Sequence, residues 1–405
     1  MKKRFSILTV IVSVLVAVIL TFNVTFVVMN VQHNKEINGL LAKNDYLSTL
    51  MTVEQVIKEN YLGDVDDEEL KHAVIRGYLS GIGDKYSQYM TASEYDEYLE
   101  EFRGNAVGIG VNVLYENLTK TMEVIEVYAN SPAEKSGILV GDFIVGVDGT
   151  RVSEADYYDV LDLIKGEKGT SVTITVSRAG VESDLVCVRD DVEVKTVKYR
   201  VYSKDPTIGI IRISSFAADT PKDFKAAVEE LKTNGCTKFI FDVRNNGGGE
   251  LNSIVTTLDY LLPSGKLAYI RYASGKETSY DSNAAFLDAS VAVLVNENTA
   301  SAAELFAAAL RDYAKEGKYD ATLVGDQSTY GKGVFQSMFL LPDGSAFKFT
   351  TGRYDPPCGV NYDGVGVIPD NIVELSEEAQ KIGYYKLTDD TDNQLAVAAQ
   401  VLASK

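Results

Sequence analysis

The 405 residues contain no tryptophan and only two histidines, His33 and His72. His72 sits in a helical segment crowded with Glu and Lys, and neither histidine lies near a candidate nucleophile. That argues against a Ser-His-Asp triad and against a histidine-ligated metal. Cysteine is almost as sparse: Cys187, Cys236 and Cys358 are odd in number and far apart, at most one pair can form, and neither a disulfide framework nor a zinc pattern is legible. Basic residues are outnumbered, 39 Lys and Arg against 58 Asp and Glu, for a formal charge of -19. With no basic stripe to neutralise a phosphate backbone, nucleic acid is excluded as a partner. The chain also lacks repeats and low-complexity tracts.

What is present is the composition of a globular protein, 45% hydrophobic and 24% charged, at a length with room for two or three domains. Residues 1–4 are basic, and the stretch 5–31 carries no charge and is long enough to cross a bilayer as a helix. The basic flank belongs in the cytoplasm. Phe26, Val27, Val28, Met29 and Asn30 offer no small-residue cleavage site, so the expectation is an uncleaved, single-pass anchor in the cell membrane with the remainder extracytoplasmic. Residues 32–103 space Leu40, Leu41, Leu47, Leu50, Val53, Val56 and Ile57 as amphipathic helices do, for packing or self-association. The segment GIGDKYSQYM turns near Gly83 and Asp84, ahead of an N-cap at Thr91 or Ser93.

From 104 to 190 the period shortens to strand-like runs broken by glycine turns, with helical pieces at 131–136 and 155–164. From 191 to 375 strands alternate with helices, which predicts an α/β sheet linked by crossovers. Sites in such folds gather at the carboxyl ends of strands. Two loops fall there, Arg244 to Glu250 and Asn296 to Ser301. Residues 376–405 close the chain as a helical tail.

Ser301 follows the apolar run VAVLV where helix periodicity begins, and Lys332 lies between Gly331 and Gly333. Without histidine, a serine must pass its proton to a carboxylate, a lysine or the N-terminal amine. A lysine accepts it only when neutral, which from a reference pKa near 10.4 takes a depression of roughly three units, about 4 kcal/mol. Val334, Phe335 and the flanking glycines suit a dry pocket, and uncharged Gln336 is able to orient the amine without raising its pKa. On a strand the two would share a face.

Plainer readings stand beside these. Ser301 with Glu304 fits a capping box, although a nucleophile at a helix N-terminus also gains from the dipole and free amides. Lys332 also reads as a solvated loop lysine. Gly247 to Gly249 read as a left-handed turn or as the bare amides an oxyanion hole needs. Other chemistries fit poorly: no G-x-S-x-G elbow occurs, and Ser345 to Lys348 forms an S-x-x-K inside a strand-like run. Gly325 to Lys332 is one residue too long for a P-loop and has Gly333 where Ser or Thr would hold magnesium.

Taken in order, DVRNNGGGEL (Asp242 to Leu251), NENTASAAELFAAAL (Asn296 to Leu310), GDQSTYGKGVFQ (Gly325 to Gln336) and GVIPD (Gly366 to Asp370) resemble the carboxyl-terminal processing, or tail-specific, serine proteases. Residues 104–190 resemble a PDZ domain, with Gly108, Ile109, Gly110 and Val111 at its peptide-binding edge. The resemblance covers nearly the whole chain beyond the anchor and implies a crotonase-like α/β protease core with an inserted PDZ domain, to which the sequence itself adds the N-terminal transmembrane anchor and flanking helices. It implies a serine endopeptidase with Ser301 as nucleophile, Lys332 as general base and Gln336 orienting the lysine. Gly247 or Gly248 would form the oxyanion hole with Ala302. Substrates would be extracytoplasmic polypeptides whose free C-termini add to a sheet edge, with no metal or cofactor and with self-association of the chain. The competing reading is a membrane-anchored peptide-binding scaffold with an inactive core. Departures from the family pattern are a long connector at Lys315 to Asp320, Val334 in place of a small hydroxyl residue, and Lys165 in place of arginine.

Overall fold

A computed structural model describes residues 29, 45–102, 105–116, 120–153, 157–283 and 285–404. The expected anchor at 5–31 lies, apart from Met29, outside the described residues, among which no helix is long and apolar enough to cross a membrane. The chain divides into two units, Met1–Gly77 and Tyr78–Lys405. The first holds helix α1 (Asp45–Asn60) and most of α2 (Asp67–Ser80). The predicted apolar spacing does produce a helix in α1, yet none of its residues is buried, and Met51, Val53 and Val56 stand exposed.

The second unit opens with β1 (Gln88–Met90) and α3 (Ala92–Phe102). Thr91 caps α3: its amide donates to Glu94 at 2.7 Å, and the Glu94 amide donates to Thr91 Oγ1 at 3.3 Å. The PDZ-like region follows. It comprises β2 (Asn105–Gly108), β3 (Val111–Glu116), β4 (Thr121–Val127), α4 (Pro132–Ser136), β5 (Phe143–Val147), β6 (Thr150–Arg151) and α5 (Tyr157–Ile164), then β7 (Ser171–Arg178), β8 (Val181–Val188) and β9 (Asp190–Glu193). Its antiparallel sheet runs β3-β4-β5-β7-β8 with β6 on β5, around a core that includes Ile109, Met122, Ile144, Val160 and Ile174. Strand β3 forms one edge and, among the described residues, pairs only with β4.

The remainder contains β10 (Val197–Tyr202), β11 (Asp205–Ile213), α6 (Thr220–Thr233), β12 (Lys238–Asp242), α7 (Leu251–Leu261), β13 (Gly265–Tyr272), β14 (Glu277–Ser282) and β15 (Ser290–Val295). It continues through α8 (Ala302–Lys315), β16 (Ala321–Gly325), β17 (Val334–Leu340), β18 (Ala346–Asp355), β19 (Asn371–Ile372), α9 (Glu377–Ile382) and α10 (Asn393–Ala403). The main sheet has the order β10-β11-β12-β15-β16-β19 and is parallel except for β10. Continuous apolar runs such as Phe239 to Phe241 and Val291 to Val295 are buried on both faces, as a parallel sheet requires.

One face packs Phe239, Phe241, Val291 and Val293 against Phe224, Leu258, Leu305 and Phe306 from α6, α7 and α8. The other packs Ile240, Ala292 and Leu294 against Leu395, Ala398 and Leu402 of α10. Each of the Val, Leu, Ile and Phe side chains among them is worth about 1.5–3 kcal/mol on burial. The closing segment, expected as a flanking tail, is therefore half of the sheet's covering. A second, antiparallel sheet runs β1-β18-β13-β14, with β17 on β18.

Candidate active site

The loops leaving β12 and β15 are laced together at the carboxyl end of the sheet. Thr299 Oγ1 donates to the Val243 carbonyl at 2.9 Å, and the Ala300 amide donates to the Asn246 carbonyl at 2.9 Å. This delivers Ser301 to the start of α8 at φ 57°, ψ -122°, a conformation that non-glycine residues avoid at a cost on the order of 1–3 kcal/mol. The Ser301 amide donates to Glu304 Oε2 at 2.8 Å. Its hydroxyl pairs with the Tyr354 hydroxyl at 2.7 Å. Tyr354 donates its own proton to the Lys332 carbonyl at 2.9 Å, so its oxygen is left to accept from Ser301.

The glycine loop presses against this turn. Gly248 has φ 107°, and a Cβ there would lie 2.8 Å from Ser301 Cβ and 2.9 Å from the Ala302 nitrogen. Only glycine allows that approach. The Gly248 amide is committed to Asn246 Oδ1 at 2.8 Å. The amides of Gly247 and Ala302 have no hydrogen-bond partner among the described residues, and both residues line the same cavity as Ser301.

Lys332 precedes β17 rather than lying on it, and a bulge at Phe335 and Gln336 resets the strand period. The unbroken strand expected to give Lys332 and Gln336 a shared face is therefore not formed, although both line one cavity. The Lys332 side chain is half-buried, with Nζ 4.5 Å from the centre of the Tyr86 ring. Among the described residues its amine makes no hydrogen bond and no ion pair, including none to Ser301. Burial pushes its pKa down, Lys348 and Lys85 push the same way, and Asp84 and Glu304 oppose them without winning. Gln336 Nε2 donates to Thr350 Oγ1 at 3.1 Å instead of contacting the amine.

Ser301, Ala302, Gly247, Lys332, Gln336 and Tyr354 all open into one cavity of about 520 Å³ whose apolar wall includes Leu99, Leu251, Leu305, Phe335 and Met338. A larger, more open cavity of about 690 Å³ beside α6 and α7 holds Lys222, Lys225 and Asp259 but none of those six residues. Shape alone would select the wrong one; the chemistry selects the first. The PDZ residues stand apart from it. Gly108 ends β2, Ile109 is buried with its carbonyl accepting from the Ala133 amide at 2.7 Å, Gly110 has φ 81°, and Val111 opens the β3 edge.

Residues not anticipated from sequence are Tyr354, which holds the serine, and Tyr86 and Lys348, which surround the amine. Lys348 had a signal, the S-x-x-K spacing, but there it is Ser345 that is irrelevant: its hydroxyl donates to Asp343 at 2.6 Å.

Comparison with known proteins identifies the family. The model of Peptidase family S41 matches residues 207–373, that of the PDZ domain residues 123–178, and that of the Activating protease CtpB N-terminal domain residues 20–94. A carboxy-terminal-processing protease of Bartonella bacilliformis is 32% identical over 337 residues, covering 81% of this chain and 75% of its own. A probable CtpA-like serine protease of Staphylococcus aureus is 32% identical over 355 residues, covering 86% and 69%. The structure of the photosystem II D1 C-terminal processing protease is similar with a TM-score of 0.50 and 29% identity, over 79% of this chain and 86% of that one. The chain belongs to peptidase family S41, among the carboxy-terminal-processing serine proteases that carry a PDZ domain. It is a serine-type peptidase.

Proposed function

We propose that this chain is an endopeptidase in which Ser301 attacks the peptide carbonyl and Lys332 takes its proton and returns it to the leaving amine. Water then resolves the acyl-serine. The observation that carries the reading is that both residues open into one cavity while the lysine amine is half-buried with no ion-pair partner among the described residues. Such an amine is more often neutral than one in water, which is what a base must be. The free amides of Gly247 and Ala302 receive the oxyanion, with Gly248 supporting the loop through Asn246. To act, the serine hydroxyl leaves Tyr354 for Lys332, and Gln336 turns from Thr350 to orient the amine; catalytic contacts commonly tighten only with substrate bound.

The PDZ region selects substrates by adding their free carboxyl ends to the β3 edge, with Gly108, Ile109, Gly110 and Val111 at the carboxylate. The protease core is read as crotonase-like. Residues 5–31 anchor the chain as a single membrane pass with the catalytic part extracytoplasmic, and the exposed apolar side chains of α1 serve self-association.

The test is cleavage by purified full-length chain of peptides that differ at their carboxyl termini. Ser301→Ala and Lys332→Ala are expected to lose at least about a thousandfold in turnover. Wild-type activity should rise with pH as it passes through the lowered lysine pKa. Undiminished cleavage by Ser301→Ala removes the assignment, full activity of Lys332→Ala moves the base elsewhere, and an inert wild type leaves the binding scaffold.

A further inference from the structure

Glu304 is fully buried, and among the described residues no cation forms an ion pair with it. Four donors hold its charge instead. Oε1 accepts from the Thr329 hydroxyl at 2.5 Å and the Gly331 amide at 2.6 Å. Oε2 accepts from the Ser301 amide at 2.8 Å and the Lys332 amide at 2.7 Å. Two donors on each oxygen saturate a carboxylate with charge-assisted bonds. Capping α8 requires only the Ser301 amide. The other three donors come from the loop that carries Lys332, so a helix cap does not account for them. Thr329 Oγ1 also accepts from the Val367 amide at 2.7 Å, which extends the same network to the GVIPD segment.

We infer that Glu304 is a positioning residue that fixes Ser301 and Lys332 relative to one another by holding both backbones on a single carboxylate oxygen. The inference rests on the proposed Ser301 and Lys332 chemistry. Glutamine cannot replace it, because its one carbonyl oxygen serves two donors while its amide hydrogens face the other two. Aspartate falls one methylene short. The groups facing the lysine amine are Lys85, Lys348, Asp84, Glu304 and the Tyr86 ring. Of these, Glu304 is a negative charge that favours the protonated amine. Removing that charge while keeping the side chain's shape should therefore lower the rate and also move the acid limb of the pH profile to lower pH. A fold that is merely loosened gives no such pairing.

The experiment uses full-length wild type, Glu304→Gln, Thr329→Val and Thr329→Ser on a peptide that the wild type cleaves. It follows kcat, KM and thermal melting between about pH 5 and pH 10. Glu304→Gln is expected to lose roughly a hundredfold in kcat with KM within about threefold, the pattern of lost alignment, and to shift its acid limb downward. Thr329→Val, lacking one donor, should lose about tenfold, and Thr329→Ser, which restores the hydroxyl, should recover it. A Glu304→Gln enzyme within about threefold of wild-type kcat, or one whose limb does not move, overturns the inference. Should Glu304→Gln fail to fold, the threonine pair decides: a gap between valine and serine supports the clamp, and equal rates overturn it. Failure of the parent reading looks different, because the Ser301→Ala control then cleaves as fast as the wild type and the clamp falls with it.

Discussion

Arg244 and Lys332 are cations in two loops at the same end of the main sheet, and their surroundings are opposite. Arg244 is 4% exposed, and its guanidinium donates to Asp242 at 2.9 and 2.8 Å, to Asp392 at 3.2 and 2.7 Å and to Gln394 at 2.9 Å. Burial alone works against its charge, but the Asp242 and Asp392 carboxylates prevail and hold its pKa well above the ordinary value. Lys332 is less buried, yet its pKa goes down, because burial and the neighbouring lysines outweigh the Asp84 and Glu304 carboxylates, neither of which forms an ion pair with it. Burial does not by itself make a cation reactive; withholding the counterion does. Arg244 also has a mechanical task. Asp392 caps α10 by accepting from the Leu395 amide at 3.0 Å, so the guanidinium ties the glycine loop to the helix that closes the sheet.

The comparison breaks most visibly at Arg244. Arg244→Met strands two buried carboxylates and should cost about 3–5 kcal/mol at neutral pH, measured by denaturant unfolding. In the wild type, burial pushes the Asp242 carboxyl up but Arg244 outweighs it and holds the pKa below the usual range. Its stabilising contribution is thus present above the unfolded carboxyl pKa, near 3.9, and fades as pH falls through the lower folded value. In the variant the sign reverses, since burial without Arg244 makes Asp242 favour the protonated form, and the deficit should shrink as pH falls. A variant as stable as the wild type at neutral pH would make Arg244 a bystander.

A smaller effect tests how closely the glycine loop must approach the serine. At Gly248 a Cβ would meet Ser301 Cβ, the Ala302 nitrogen and the Ala300 carbonyl at 2.8, 2.9 and 3.0 Å, at a positive φ as well. Gly248→Ala should cost about 1–3 kcal/mol and at least about tenfold in kcat. At Gly247 a Cβ meets nothing within 4 Å, so Gly247→Ala should melt with the wild type. Equal melting of the two variants would remove the claim that the approach at Gly248 requires glycine.

How much of this was legible follows from the range of each contact. Strands β12 and β15 and helix α8 were readable because Phe239 to Phe241, Val291 to Val295 and the alanine-rich run after Ser301 are continuous local patterns. The two loops at the strands' carboxyl ends followed from them. The face that α10 covers was not readable, since an amphipathic stripe states that a side is buried and not against what. The expected pairing of Gln336 with Lys332 assumed an unbroken period of two, which the bulge at Phe335 and Gln336 ends. The lysine's surroundings come from afar: Thr350 donates to Asp84 across 266 positions, and that contact fixes the segment carrying Tyr86. No local pattern encodes such a meeting. Even Glu304, readable as the partner in a cap, gave no sign of its three further donors.

The mildest prediction sharpens the comparison most, because it demands the opposite sign at Lys332. A lysine whose folded pKa lies below its unfolded value near 10.4 binds fewer protons folded than unfolded between the two. Wild-type stability should therefore rise with pH across that window, and below it the whole cost of charging a half-buried amine is carried. Methionine is of similar length, flexible and uncharged, and it fits the same cavity without that cost. Lys332→Met should be more stable than the wild type at neutral pH by about 1 kcal/mol, seen as a rise of roughly 2–4 °C in Tm, while losing turnover. The gain should vanish as pH approaches the unfolded lysine value. A variant that is less stable than the wild type at every pH would mean that the amine is paired in solution as Arg244 is, and a paired amine is in no position to take a proton from Ser301.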